Sequence, residues 1–160
     1  MITITVVCVG KIKEKYFTDA ISEYQKRLSR YCKLELLEVP DEATPDNPSM
    51  REKTLVLEKE GERILKKIPD TAHVTALCIE GKQLSSEQLA DNLSLLASSG
   101  VSRRVFVIGG SMGLSDAVKQ RADMKLSFSP MTFPHQLMRV ILLEQMYRAN
   151  RIRNNEPYHK

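Results

Sequence analysis

Five short runs of β-branched and apolar residues, each followed by a stretch of helical periodicity or capping, constrain this chain more than any other feature. The runs are ITITVVCV at 2–9, LELLEV at 34–39, VTALCI at 74–79, RVFVIGG at 104–110 and the brief KLSFS at 125–129. Gly10, Pro40 and Gly81 end the first three. Between them, Phe17, Ala20, Ile21, Tyr24, Leu28 and Tyr31 fall at helical spacing over 14–31. Ser49 with Glu52, and Ser85 with Gln88, form capping boxes that open two further helices, the first running to Pro69 and the second ending near Gly100. A short helix is expected from about Ser115 to Arg121 and a last one from about His135 to Ala149. The acidic, proline-rich segment PDEATPDNP at 40–48 reads as an exposed loop. Strand and helix alternating five times, with continuous apolar strands, predict an α/β fold: a mostly parallel sheet with helices on both faces.

At 160 residues, with 42% hydrophobic and 28% charged side chains, the chain is expected to form one domain over 1–160. No apolar run approaches the ~20 residues of a membrane span, and the strand-like start lacks the features of a signal peptide. Cys8, Cys32 and Cys78 are scattered among apolar segments and read as free thiols of a cytoplasmic protein. With the three histidines far apart, no metal site is expected. The net charge of +4 is unevenly spread. Residues 1–33 carry seven Lys/Arg against three acids, 34–49 five acids and no base, and 134–160 five bases against two acids. Basic ends that meet in space would make a phosphate-binding face; otherwise they are ordinary solvated surface.

In an open parallel sheet, ligands bind beyond the carboxyl ends of the strands. Three such ends stand out: Leu77 to Gly81, the glycine-rich Gly109 to Gly113, and the stiff Phe128 to Pro134. The glycines permit close backbone approach, but they match neither the G-x-G-x-x-G spacing nor a phosphate-cradling loop with its Lys-Ser/Thr. Residues 128–134 combine apolar faces with free main-chain groups, which suits a flat heterocycle, and they equally suit the start of a helix with Thr132 as its cap and Pro134 in its first turn. His73 reads as a surface residue, and His135 stands beside the candidate pocket, with a capping role as the alternative. No Ser-His-Asp arrangement or close carboxylate pair supports a hydrolase.

GGSMGL at 109–114, LSFSPMTFPHQLMRV at 126–140, LLEQMYRA at 142–149 and the terminal YHK at 158–160 together resemble the ribosomal RNA large subunit methyltransferase H family, of the SPOUT class. The resemblance runs from the opening VVCVGKIK to the last residue. It implies methyl transfer from S-adenosylmethionine to N3 of a pseudouridine in 23S rRNA of the assembled ribosome, by a homodimer with one subunit's tail near the other's pocket. It also implies a C-terminal trefoil knot, which connection rules alone would argue against. Carried over by position, the cofactor contacts are Leu77, Gly109, Phe128, Ser129, Pro130, Met131, Thr132 and Phe133, with Pro130 contributing through its backbone. His135, His159 and Glu144 are candidates by type for receiving the imide proton, hydroxide or water being the alternative. Arg139, Arg148, Arg153, Tyr158, His159 and Lys160 are expected to hold rRNA. Two other classes stay open from the residues: a nucleotide enzyme of different chemistry, and a non-catalytic ribosome- or RNA-binding module.

Overall fold

A computed structural model describes residues 1–160. The elements follow the order β1 (Ile2–Val9), α1 (Lys15–Leu28), β2 (Cys32–Val39), α2 (Met50–Leu65), β3 (His73–Gln83), α3 (Ser86–Ser98), β4 (Arg103–Ile108), α4 (Asp116–Arg121), β5 (Met124–Ser127) and α5 (His135–Arg153). The five strands form one sheet in the order β2-β1-β4-β3-β5, and every pairing is parallel. The period of two along each strand divides the core. Ile4, Val6, Cys8, Phe106 and Ile108 join a cluster with Ile21 and Leu28 of α1, Leu89 and Leu93 of α3, and Leu142, Leu143 and Met146 of α5. Val7, Val9, Val74, Ala76, Val105 and Val107 face the other way, onto Ile64 of α2 and Val118 of α4. Both faces are therefore covered, and α5 packs against α1 and α3 at once.

Both capping boxes form as expected, with Ser49 Oγ accepting from the Glu52 N–H at 3.1 Å and Ser85 Oγ from the Gln88 N–H at 3.1 Å. Two local expectations fail. Helix α5 begins one residue after Pro134, which sits at the cap, so Thr132 is too early in the chain to reach the first helical amides. Strand β3 continues through Gly81 to Gln83, with its register against β5 shifting between Leu77 and Lys82. Gly81 is no terminator: a Cβ there would lie 2.7 Å from the Leu126 backbone, so its bare backbone is what lets β3 bulge against β5. Residues 156–159 fold back on the turn between α1 and β2, on α3 and on α5. Tyr31 Oη donates to Glu156 at 2.8 Å, and His159 Nε2 lies 2.7 Å from Glu87 Oε1.

The connections decide where a ligand can enter. β4 leaves toward α4 on one face, whereas its neighbours β1 and β3 leave toward α1 and α3 on the other. The carboxyl end of β4 is thus flanked by a crevice on each side, the switch point at which doubly wound sheets bind ligands.

Candidate active site beside the fourth strand

The three strand ends singled out in the sequence meet in one cavity of about 710 Å³. Its walls include Leu77 to Glu80 from β3, Ile108 to Leu114 from the end of β4, and Phe128, Ser129 and Met131 to His135 from the loop before α5. Half of its twenty-two lining residues are hydrophobic. The volume lies in the range of small-molecule and cofactor sites, which pair apolar walls with a few fixed polar groups. Here the polar groups are mostly main chain. Gly109 is buried, and a Cβ on it would run into the Gly113 carbonyl, so the 109–113 turn closes only around glycine. Gly113 holds φ 91° and donates its N–H to Gly110 O at 3.1 Å. The 128–134 loop is braced from within, since Ser129 Oγ accepts the Met131 N–H at 3.0 Å and Ser127 Oγ donates to Ser129 O at 3.2 Å.

Of the residues expected to hold a cofactor, Leu77, Gly109, Phe128, Ser129, Met131, Thr132 and Phe133 line this cavity. Pro130 does not; its ring is exposed, and its part is to stiffen the loop. Lys119 was missed by the sequence reading. It reaches the rim from α4 and pairs with Glu80, which holds the Glu80 carboxyl below its usual range and the Lys119 ammonium above its own. Periodicity could not have found it, because a six-residue helix presents no face to count.

Of the three candidate proton acceptors, His135 alone lines the cavity. Burial, then the positive charge of Arg139, lowers its pKa below the ordinary imidazole value, with Asp41 opposing. The ring is therefore neutral at pH 7 and has a lone pair to offer. Glu144 and His159 lie elsewhere, bound into the tail cluster. Arg148 donates to Glu144 from Nη2 at 2.6 Å and lies 3.0 Å from His159 Nδ1, while Tyr158 Oη donates to Glu144 at 3.2 Å. Arg148 stands thirteen residues along α5 from His135, about 20 Å at 1.5 Å per residue. Arg153 reaches Ser94 Oγ at 2.9 Å, and Lys160 is exposed.

Arg139 is a correction. It is 5% exposed, with Nη1 on Glu38 at 2.6 Å and Nη2 on the carbonyls of Val9 at 3.1 Å and Gly10 at 2.7 Å. Its guanidinium ties the start of α5 to the end of β1, and no part of it is free to meet RNA. The sequence reading also missed Glu60. This acid falls on the apolar stripe of α2 between Val56 and Ile64, is 5% exposed, and accepts the Glu42 N–H at 2.9 Å. Burial chiefly raises its pKa. An acid four residues from each of two core positions was the signal that pointed to it.

Comparison with known proteins bears on this geometry. The profile of a family described as "Predicted SPOUT methyltransferase" matches residues 2–159. The chain belongs to the SPOUT methyltransferase family. A relative from Clostridioides difficile (strain 630), named "Ribosomal RNA large subunit methyltransferase H", is 59% identical over 98% of this chain and 99% of its own length. One from Clostridium perfringens (strain SM101 / Type A), named "Ribosomal RNA large subunit methyltransferase H 1", matches at the same identity and coverage. Among solved structures, a probable methylase family protein from Haemophilus influenzae Rd KW20 aligns with a TM-score of 0.57 at 13% identity, covering 98% of this chain and 70% of that one, a likeness of fold. In this SPOUT chain the cavity described above lies at the β3, β4 and β5 ends. No group of three or more His, Cys, Asp or Glu side chains is placed to hold a metal ion, and no helix is long and apolar enough to cross a membrane.

Proposed function

We propose that this SPOUT methyltransferase uses S-adenosylmethionine to methylate N3 of a pseudouridine in 23S rRNA, acting on the assembled ribosome. The observation that carries the reading is the cavity itself, where Gly109 to Gly113 and Phe128 to Phe133 converge on a space of the right size, walled by main-chain groups and apolar side chains. The Phe128–Phe133 loop and the glycines of the 109–113 turn would hold the donor. The near absence of free carboxylates from these walls agrees with a positive sulfonium that is lost on reaction. A non-catalytic RNA-binding module has no use for such a space. When bound, the donor supplies an electrophilic methyl group whose carbon–sulfur bond breaks with both electrons going to sulfur.

The chain's own residues do the rest. The turn and the stiff loop hold the donor, and holding two reactants in near-attack geometry can contribute ~7–11 kcal/mol. His135, neutral and at the cavity wall, accepts the imide proton through its free ring nitrogen while the base nitrogen takes the methyl carbon. General-base assistance of this type contributes ~10²–10⁴-fold. Arg148, Arg153, Tyr158, His159 and Lys160 form the proposed rRNA-holding set. None of them lines the cavity of its own chain. A homodimer, in which one subunit's tail stands at the other's pocket, resolves this, and Ile79 and Met131, 51% and 73% exposed at the rim, are apolar surface for the second subunit to cover. The trefoil knot is what the family resemblance implies for the carboxyl-terminal part of the chain. Calorimetric titration with S-adenosylmethionine tests the donor assignment. One site per chain is expected for the wild type and none for Gly109→Leu, with the variant's fold checked by circular dichroism; absence of binding to the wild type would refute it.

A further inference from the structure

A second cavity, of about 730 Å³, opens on the other side of the β4 end, between the β1 and β2 exits. It shares Gly110, Ser111 and His135 with the first. Group transfer requires two sites that meet where the reacting atoms come within ~3–3.5 Å of each other, so a wall common to two cavities is the geometry such a reaction needs. The two spaces also differ as the two substrates would. Half of the residues around the first are hydrophobic, against three of seventeen around the second.

Five acids line the second cavity, two of them neutralised, Glu38 by Arg139 and Glu42 by Arg63. Glu60, buried, and Asp41, exposed, are in no ion pair and stand with Glu14 and the backbone of Gly10 and Gly110. At the mouth stand Lys11 and Lys13, both exposed and both without a carboxylate partner, unlike Lys15, which pairs with Asp19. A phosphate is repelled from the acids and drawn to the lysines, whereas a base edge bearing N–H groups finds acceptors inside. We infer that this second cavity is the acceptor site, taking one unstacked uracil-type nucleotide of RNA with its base against Gly110, Ser111 and His135 and its flanking phosphates on Lys11 and Lys13. The inference rests on the methyltransferase reading above and adds to it the place and polarity of the acceptor. It also adds a basic contact region at the amino-terminal end of the fold, away from the tail.

The test uses the full chain and large ribosomal subunits that lack the methyl group, with S-adenosylhomocysteine present so that no transfer occurs. Subunit affinity is measured over a series of salt concentrations for the wild type, for Lys11→Ala/Lys13→Ala, and for a control, Lys66→Ala/Lys67→Ala, whose exposed lysines line neither cavity. The first variant is expected to bind roughly tenfold more weakly and to flatten the slope of log K against log salt by about two, with the control unchanged. Its affinity for S-adenosylmethionine, measured separately, should stay within about twofold of the wild type, as two exposed side chains outside the donor cavity predict. Wild-type affinity and slope in the Lys11→Ala/Lys13→Ala protein would overturn the acceptor site while leaving the donor site standing. A parallel loss of S-adenosylmethionine affinity would overturn it too, by showing that the lysines shape the donor pocket. A wild type that binds no S-adenosylmethionine would bring down the methyltransferase reading itself.

Discussion

His135 and Arg139 lie one helical turn apart at the start of α5, and their environments give them opposite tasks. Burial and the neighbouring guanidinium keep His135 neutral, so the rate is expected to stay flat between pH 7 and 8 and to fall only below about 6.5, the ordinary imidazole value. His135→Ala should lower kcat by about 10²-fold with little change in donor affinity, and the acidic limb of the pH profile should vanish with it. A variant with wild-type kcat would return the proton to water. Arg139→Ala leaves the Val9 and Gly10 carbonyls without their donor and should cost about 1–3 kcal/mol in denaturant unfolding. Its salt dependence of subunit binding should match the wild type, whereas an RNA contact would flatten it. Glu60 gives a pH signature of opposite sign to a surface acid. Its folded pKa is raised, so the stability it contributes is present at low pH and is lost as pH rises through that value. Glu60→Gln should therefore raise the melting temperature at pH 8, with the gain shrinking toward pH 5; an equal gain at both pH values would show that charge is not the cause.

The elements were largely legible because their signals are local. Capping boxes at Ser49 and Ser85 and continuous β-branched runs such as ITITVVCV at 2–9 placed the helices and the buried strands. The three strand ends that form the first cavity were legible too, because glycines and prolines there break patterns that are otherwise regular. What failed depended on partners far along the chain. Gly81 reads as a stop in sequence, yet lies in a bulge of β3 against Leu126, forty-five residues on. The acidic 40–48 loop is exposed as its sequence reads, but that Asp41 and Glu42 also wall a cavity with Gly10 and Gly110 was not legible there. Arg139 reads as one more base in a basic tail, because nothing in its neighbourhood announces Glu38, a hundred and one residues earlier. On α5, Leu142, Leu143 and Met146 are each 1% exposed or less, and Leu142→Ala should cost ~2–5 kcal/mol while leaving the cavity residues in place.

At the scale of the molecule, one asymmetry organises the function. β4 alone among the central strands leaves toward the α4 face, and a cavity opens on each side of its end. One is apolar and built of main chain, the other polar and edged with lysines. The basic carboxyl-terminal tail lies outside both in its own chain, which is why the proposed function includes a second copy and the ribosome as the surface that presents the base. The most direct test is methyl incorporation from labelled S-adenosylmethionine into assembled ribosomes lacking the modification, followed by mass mapping of 23S rRNA. The account predicts a single new methyl on one pseudouridine, with short naked rRNA fragments remaining poor substrates. Label on no rRNA nucleotide despite donor binding, or efficient methylation of an isolated hairpin, would contradict it.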